Sequence, residues 1–195
     1  MPAPVVVYSD FNCPFCYALN EALLRLNIAE RLSWRGVQHA PGLFVPMTPW
    51  HEALAEDLMR EVEAVRLRVP DLPIELPPGK PNTARAIRAT ALALQLDRQR
   101  GPLFKDLLYR AFWCRGADLS DPETLNRLAA EAGLTGLSFA QLDRHDIAAT
   151  TSRWQNDWEQ SGCHAVPALV RPDGARLIGF HGCAQTARFL GVELE

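Results

Sequence analysis

Cys13-Pro14-Phe15-Cys16 sets two thiols three residues apart, and that spacing limits the chemistry they can share. Positions three apart lie on one face of a helix. One thiolate can therefore attack a disulfide, and the second can reach the resulting mixed disulfide and release it. The chemistry this implies is dithiol–disulfide exchange, with Cys13 attacking and Cys16 resolving. Just before the pair, Pro4-Val5-Val6-Val7-Tyr8 is a short β-branched apolar run that reads as a buried strand. From Phe15 onward the apolar positions Leu19, Ala22, Leu23, Leu26 and Ala29 recur at three and four residues, as one face of a helix requires. Pro14 suits a helix first turn, because the N–H it lacks would have no partner there. Both sulfurs thus open the helix, where unpaired N–H groups and the helix dipole favour negative charge. A Cys13 more acidic than a free cysteine is expected.

Two cysteines at this spacing also occur in zinc ribbons, which need a second pair of ligands. Only Cys163-His164 and His181-Gly182-Cys183, on either side of a C-terminal hairpin, could supply one. The strand-to-helix context favours redox chemistry, and no metal is expected. Cys163 and Cys183 bracket the turn Arg171-Pro172-Asp173-Gly174, so antiparallel pairing about it would bring them roughly opposite one another. They are candidates for a second redox pair, against the alternative that a buried cysteine simply packs as a small hydrophobe. Cys114 reads as packing. His39, His51, His145, His164 and His181 show no metal-ligand spacing and suit surface or capping roles. Trp50, Trp113, Trp154 and Trp158 read as helical core, and the mixed charges from Glu52 to Arg68 as a solvated helix face.

The elements that must position the thiols follow from the pattern along the chain. After the first helix, Leu32 to His39 is a second strand candidate, ending at Ala40-Pro41-Gly42. Helices are expected at about Thr48 to Arg68, Asn82 to Arg98, Pro102 to Cys114, Pro122 to Ala132, Ser138 to Asp143 and His145 to Ser161, with breaks at proline and glycine clusters, Gly101-Pro102 among them. Val166 to Val170 and Arg176 to Phe180 form a terminal hairpin, and Ala184 to Leu190 a last short helix. The order describes an α/β sheet interrupted by a large all-helical insertion. Residues 1–47 and 163–195 would form the sheet-bearing domain and residues 48–162 the insertion.

With 195 residues, 48% hydrophobic and 22% charged, the chain has the balance of one globular domain, which argues against disorder. A net charge of -3 gives no basic excess, so nucleic acid is not an expected partner. No apolar run approaches the roughly 20 residues of a membrane span, and the start lacks a basic, apolar leader. Five cysteines are too few for a disulfide scaffold and odd in number, which fits a reducing compartment. The cytoplasm is the expected location.

The segment Tyr8-Ser9-Asp10-Phe11-Asn12-Cys13-Pro14-Phe15-Cys16 resembles the active-site segment of DsbA-family proteins, especially their FrnE-like branch. Asn82-Thr83-Ala84-Arg85-Ala86-Ile87-Arg88 is similar to that branch's Asn-Thr helix start. Leu108 to Leu134, with Asp118-Leu119-Ser120-Asp121-Pro122-Glu123, and Gly162 to Val170 are similar to further segments of it. The resemblance implies a thioredoxin-like (DsbA-type) fold, with Cys13 as nucleophile, Cys16 as resolving thiol, and Pro14 and Phe15 as motif residues. It also implies a cis Pro167 facing the pair, with Val166 offering its backbone to an extended substrate; a trans Pro167 starting an edge strand is the alternative. DsbA itself carries histidine within the motif where this chain has Pro14-Phe15, so a strongly oxidising potential does not follow. Nor does any polar role follow at Ile87, where the Asn-Thr helix often carries histidine. The implied activity is that of a protein dithiol–disulfide oxidoreductase or isomerase with no prosthetic cofactor. Its partners would be protein or small-molecule thiols and disulfides, glutathione among them. The rival reading is a glutathione-dependent isomerase or transferase resembling 2-hydroxychromene-2-carboxylate isomerase and kappa-class glutathione transferases. Those enzymes typically show serine-proline-aromatic where Cys13-Pro14-Phe15 stands and need no second cysteine.

Overall fold

A computed structural model describes residues 3–50 and 52–193. Its centre is a four-stranded sheet built from β1 (Val5–Ser9), β2 (Leu32–Gly36), β3 (Ala168–Val170) and β4 (Arg176–Ile178), in the order β2-β1-β3-β4. β1 runs parallel to β2, with Val7 opposite Trp34, and antiparallel to β3, with Val7 opposite Leu169. The parallel pair needs a crossover, and α1 (Pro14–Arg25) supplies it. β3 and β4 pair as the hairpin the turn residues demand. Because β1 is central, the chain leaving its C-terminal end, residues 10–13, emerges inside the protein and not at a sheet edge.

Between β2 and β3 lie α2 (Glu52–Arg68), α3 (Ala84–Leu96), α4 (Arg100–Arg115), α5 (Pro122–Glu131) and α6 (His145–Gln160), and α7 (Cys183–Leu190) closes the chain. The α/β architecture with a long helical block matches the expectation, while several ends differ for identifiable reasons. β2 stops at Gly36: Val37 N–H still bonds Ser9 O at 3.0 Å, but Gln38 N–H goes to Gln155 Oε1 and His39 N–H to Asp10 Oδ2. Side chains thus replace the ladder over residues 38–39. β3 begins at Ala168, since Pro167 has no N–H to give. Residues 138–143 hold only a 3-10 turn, Phe139–Gln141, in place of a helix. Gly101-Pro102, read as a break, instead sits in the first turn of α4, where proline costs nothing. A Cβ on Gly101 would lie 2.8 Å from the backbone of Leu94, so glycine is what lets α3 and α4 approach.

The core is aromatic beneath the thiols. Trp113, Tyr17, Tyr109, Phe11, Phe104 and Phe112 are fully buried. The Phe11 ring lies 4.7 Å from Tyr109 and 5.3 Å from Trp34. Trp113 donates its Nε1–H to Phe11 O at 2.9 Å. These contacts pin the turn between β1 and α1 from below.

Candidate active site

Cys13 is the N-cap of α1, with extended backbone (φ -105, ψ 121), and Pro14 opens the helix. Cys13 O accepts from the N–H groups of Cys16 and Tyr17, which closes the first turn and brings the two side chains to one face. Neither sulfur is bonded to another. Cys16 is sealed at 1% exposure whereas Cys13 retains 6%, so a substrate meets Cys13 first. Opposite Cys13, the loop before β3 brings Val166 O to 3.7 Å from Cys13 Sγ, and the Val166–Pro167 peptide is cis. Phe15 is half-buried, with the Arg68 guanidinium 5.5 Å above its ring. The charged face of α2 is therefore not wholly solvated: its last turn reaches the motif.

The two thiols are driven apart in acidity. Burial pushes the Cys13 thiol up, but hydrogen bonds from the Cys16 side chain and backbone and the positive charge of His39 outweigh it, and Cys13 ends below the ordinary cysteine value. Glu61 opposes this weakly. At Cys16, burial, the hydrogen bond with Cys13 and the negative charge on Cys13 all push upward; Ser9 and the Asp10 N–H, 3.4 Å from Cys16 Sγ, offset only part of it. The pair can hold one proton on Cys16 while Cys13 is a thiolate.

A polar network beside the pair was not legible in the sequence. Asp10, fully buried, accepts from His39 Nδ1 at 2.8 Å, from the His39 backbone N–H at 3.0 Å and from Thr83 Oγ1 at 2.6 Å. Lys80 Nζ stands 3.3 Å from His39 Nε2. Burial pulls the His39 pKa down, yet the hydrogen bond and charge of Asp10 overcome it, and Lys80 opposes, leaving His39 above the ordinary histidine value. His39 thus corrects its surface reading: when protonated it supplies the positive charge beside Cys13 that Pro14-Phe15 does not provide. The one available signal was Asp10-Phe11-Asn12 directly before the motif. Asn82 and Thr83, singled out at the start of α3, do converge here. Asn82 accepts from Gln38 and donates to Pro41 O and Leu43 O, tying down the segment that carries His39.

The other candidates lie elsewhere. Cys163 is buried and Cys183 half-buried, both as free thiols. The β3–β4 register, if extended, would set them opposite, but the ladder ends at Ala168 and Ile178 and Cys183 starts α7. Cys114 meets the Tyr17 hydroxyl at 3.3 Å and Pro73 O at 3.2 Å, away from the motif. His51 lies outside the described residues. Among the described residues, no group of three or more His, Cys, Asp or Glu side chains is placed to hold a metal ion.

A central strand feeding a helix whose first turn carries paired thiols, with helices inserted between the second and third strands, defines a DsbA-like thioredoxin fold. The chain belongs to the DSBA-like thioredoxin domain family, whose model matches residues 4–191. Solved structures share the fold. One is described as a probable DsbA oxidoreductase of Streptomyces coelicolor (TM-score 0.75, 20% identity, 98% of this chain and 92% of that one). Another is the cytosolic disulfide reductase DsbM of Pseudomonas aeruginosa (0.68, 18%, 96% and 92%), also solved with GSH. A third is a 2-hydroxychromene-2-carboxylate isomerase (0.73, 15%, 96% and 94%).

Proposed function

We propose that the protein is a dithiol–disulfide oxidoreductase acting through Cys13 and Cys16, with the Val166–Pro167 loop holding the substrate. The observation that carries this reading is the asymmetry of the pair: an acidified Cys13 beside a sealed, proton-retaining Cys16. The Cys13 thiolate attacks one sulfur of a substrate disulfide, forming a mixed disulfide and expelling the other half as a thiolate. Cys16 then gives up its proton to water or the expelled thiolate and attacks Cys13 Sγ. The substrate leaves reduced by two electrons and the protein holds the Cys13–Cys16 disulfide. Run in reverse, the same steps oxidise a dithiol. The backbone of Val166, beside Cys13 Sγ, is available to an extended chain.

The finer parts of this reading rest on the sequence. The four similar segments support placement in the FrnE-like branch. The strands all fall within residues 5–36 and 168–178, which supports the division into residues 1–47 with 163–195 and a helical insertion at 48–162. A cytoplasmic location is supported by the odd cysteine count and by a cytosolic relative in fold. Glutathione is the small-molecule partner to test first, since DsbM has been solved with GSH.

The rival is the glutathione-dependent isomerase, favoured by the likeness in fold to the hydroxychromene carboxylate isomerase. Equilibration against graded glutathione buffers, read by alkylation and mass spectrometry, separates the two, with Cys13→Ser and Cys16→Ser as controls. A reversible two-electron transition on the Cys13–Cys16 pair is expected. Glutathione adducts on Cys13 with no internal disulfide would overturn the oxidoreductase reading in favour of the isomerase.

A further inference from the structure

A second feature of Cys16 lies on the side away from the Val166–Pro167 loop. The sulfur-bearing residue forms part of the wall of a cavity of about 350 Å³, enclosed by α1, β1, β2, α3, α4 and α6. Neither Cys13, Val166 nor Pro167 lines it. That volume falls within the range of small-molecule sites and would hold about a dozen waters at ~30 Å³ each. Its walls are mostly unsuited to water: Val7, Leu19, Leu23, Leu94, Trp34 and Trp154 contribute, the two indoles meeting edge to face at 6.0 Å. At the rim Leu24 is 38% exposed, which gives an apolar entrance.

The charge lining this cavity has one sign. Arg98 and Lys105 are present and no carboxylate is. Lys105 is neutralised by Asp106 at 2.9 Å and held by Asn20 Oδ1 at 2.5 Å. Arg98, exposed in the turn between α3 and α4, has no ion pair among the described residues; its neighbour Asp97 is committed to the N–H groups of Gln99 and Arg100. An apolar space with one uncompensated cation at its edge suits an apolar chain ending in a single negative charge.

We propose that this cavity is a binding site for a free medium-chain carboxylate, its chain among Leu19, Leu23, Trp34 and Trp154 and its carboxylate at Arg98. The site is separate from the face on which Cys13 meets disulfides, and occupation does not require the dithiol to be active. The bound chain lies against the Cys16 side of α1.

Calorimetric titration of the protein with decanoate, below micelle concentrations, tests this. Decanol and decyltrimethylammonium serve as chain-matched controls. Saturable binding of one decanoate per chain is expected, with decanol weaker and the ammonium compound not bound. Removing the exposed charge in Arg98→Ala should weaken decanoate about fivefold, the most an exposed ion pair usually contributes, and Arg98→Glu should weaken it further. Filling the space with Leu23→Trp should abolish binding; Arg98 variants leave the core untouched, so the test stands even if that variant misfolds. Binding should persist in Cys13→Ser, whatever that variant does in glutathione buffers. No saturable decanoate binding, equal binding of the ammonium control, or indifference to Arg98→Glu would overturn the proposal.

Discussion

Two sulfurs in one tetrapeptide acquire opposite acidities because their neighbours differ, although both are buried. Cys13 receives hydrogen bonds from Cys16 and the positive field of His39; Cys16 receives the negative field of Cys13. The Cys16 hydrogen bond leads the lowering influences at Cys13, so Cys16→Ser is predicted to raise the Cys13 pKa only in part, a hydroxyl still being able to donate. His39→Ala removes the charge itself. It is predicted to raise the Cys13 pKa and slow alkylation of Cys13 at neutral pH several-fold, read residue by residue by mass spectrometry. Lys80→Ala is predicted to do the opposite, because the lysine charge holds the His39 pKa down. If His39→Ala and Lys80→Ala shift the Cys13 reaction rate in the same direction, His39 does not act through its charge.

At the scale of elements, the site was legible where its determinants are local. Strand, turn, thiols and helix follow one another within residues 4–26, and their pattern needs only apolar periodicity and the tolerance of Pro14 for a first turn. The His39–Asp10–Thr83 network was not legible, because its members are 29 and 73 residues apart and meet only after β1 and β2 pair and α3 docks. Element ends were missed where a side chain outcompeted the backbone, as Gln155 and Asp10 do at residues 38–39. Gly101 was read as a break for a related reason: glycine's role in close helix packing depends on a neighbour the sequence does not show. Two substitutions test this level. Gly101→Ala forces Cβ against the Leu94 backbone and is predicted to cost ~1–3 kcal/mol. Trp113→Phe strands the buried Phe11 carbonyl and is predicted to cost ~1–3 kcal/mol. Both are read from the urea midpoint. A loss below about 0.5 kcal/mol in Gly101→Ala would mean that α3 and α4 are not locked at this crossing.

For the whole molecule, the perturbed groups make stability depend on redox state and pH together. In the reduced protein the folded Cys13 pKa lies below its unfolded value of ~8.5. Between the two the unfolded chain binds more protons, so this contribution grows as pH rises and is complete above the unfolded value. Cys16 has the opposite sign: its folded pKa is raised, and above ~8.5 the unfolded chain loses its proton first, so stability falls with further alkalinity. His39, raised above ~6.5, contributes stability that is full at lower pH and lost as pH rises through its folded pKa, partly masking the gain from Cys13. The difference in unfolding free energy between reduced wild type and Cys13→Ser removes most of the His39 contribution. That difference is predicted to grow with pH up to ~8.5 in urea titrations under reducing conditions. Oxidised wild type, with neither thiol titrating, is predicted to lack the rise and the part of the alkaline fall that begins at ~8.5, keeping only the later fall from the buried tyrosines Tyr17 and Tyr109. A difference independent of pH would show that Cys13 is not acidified by the fold, and the nucleophile would then have to be activated by the substrate itself.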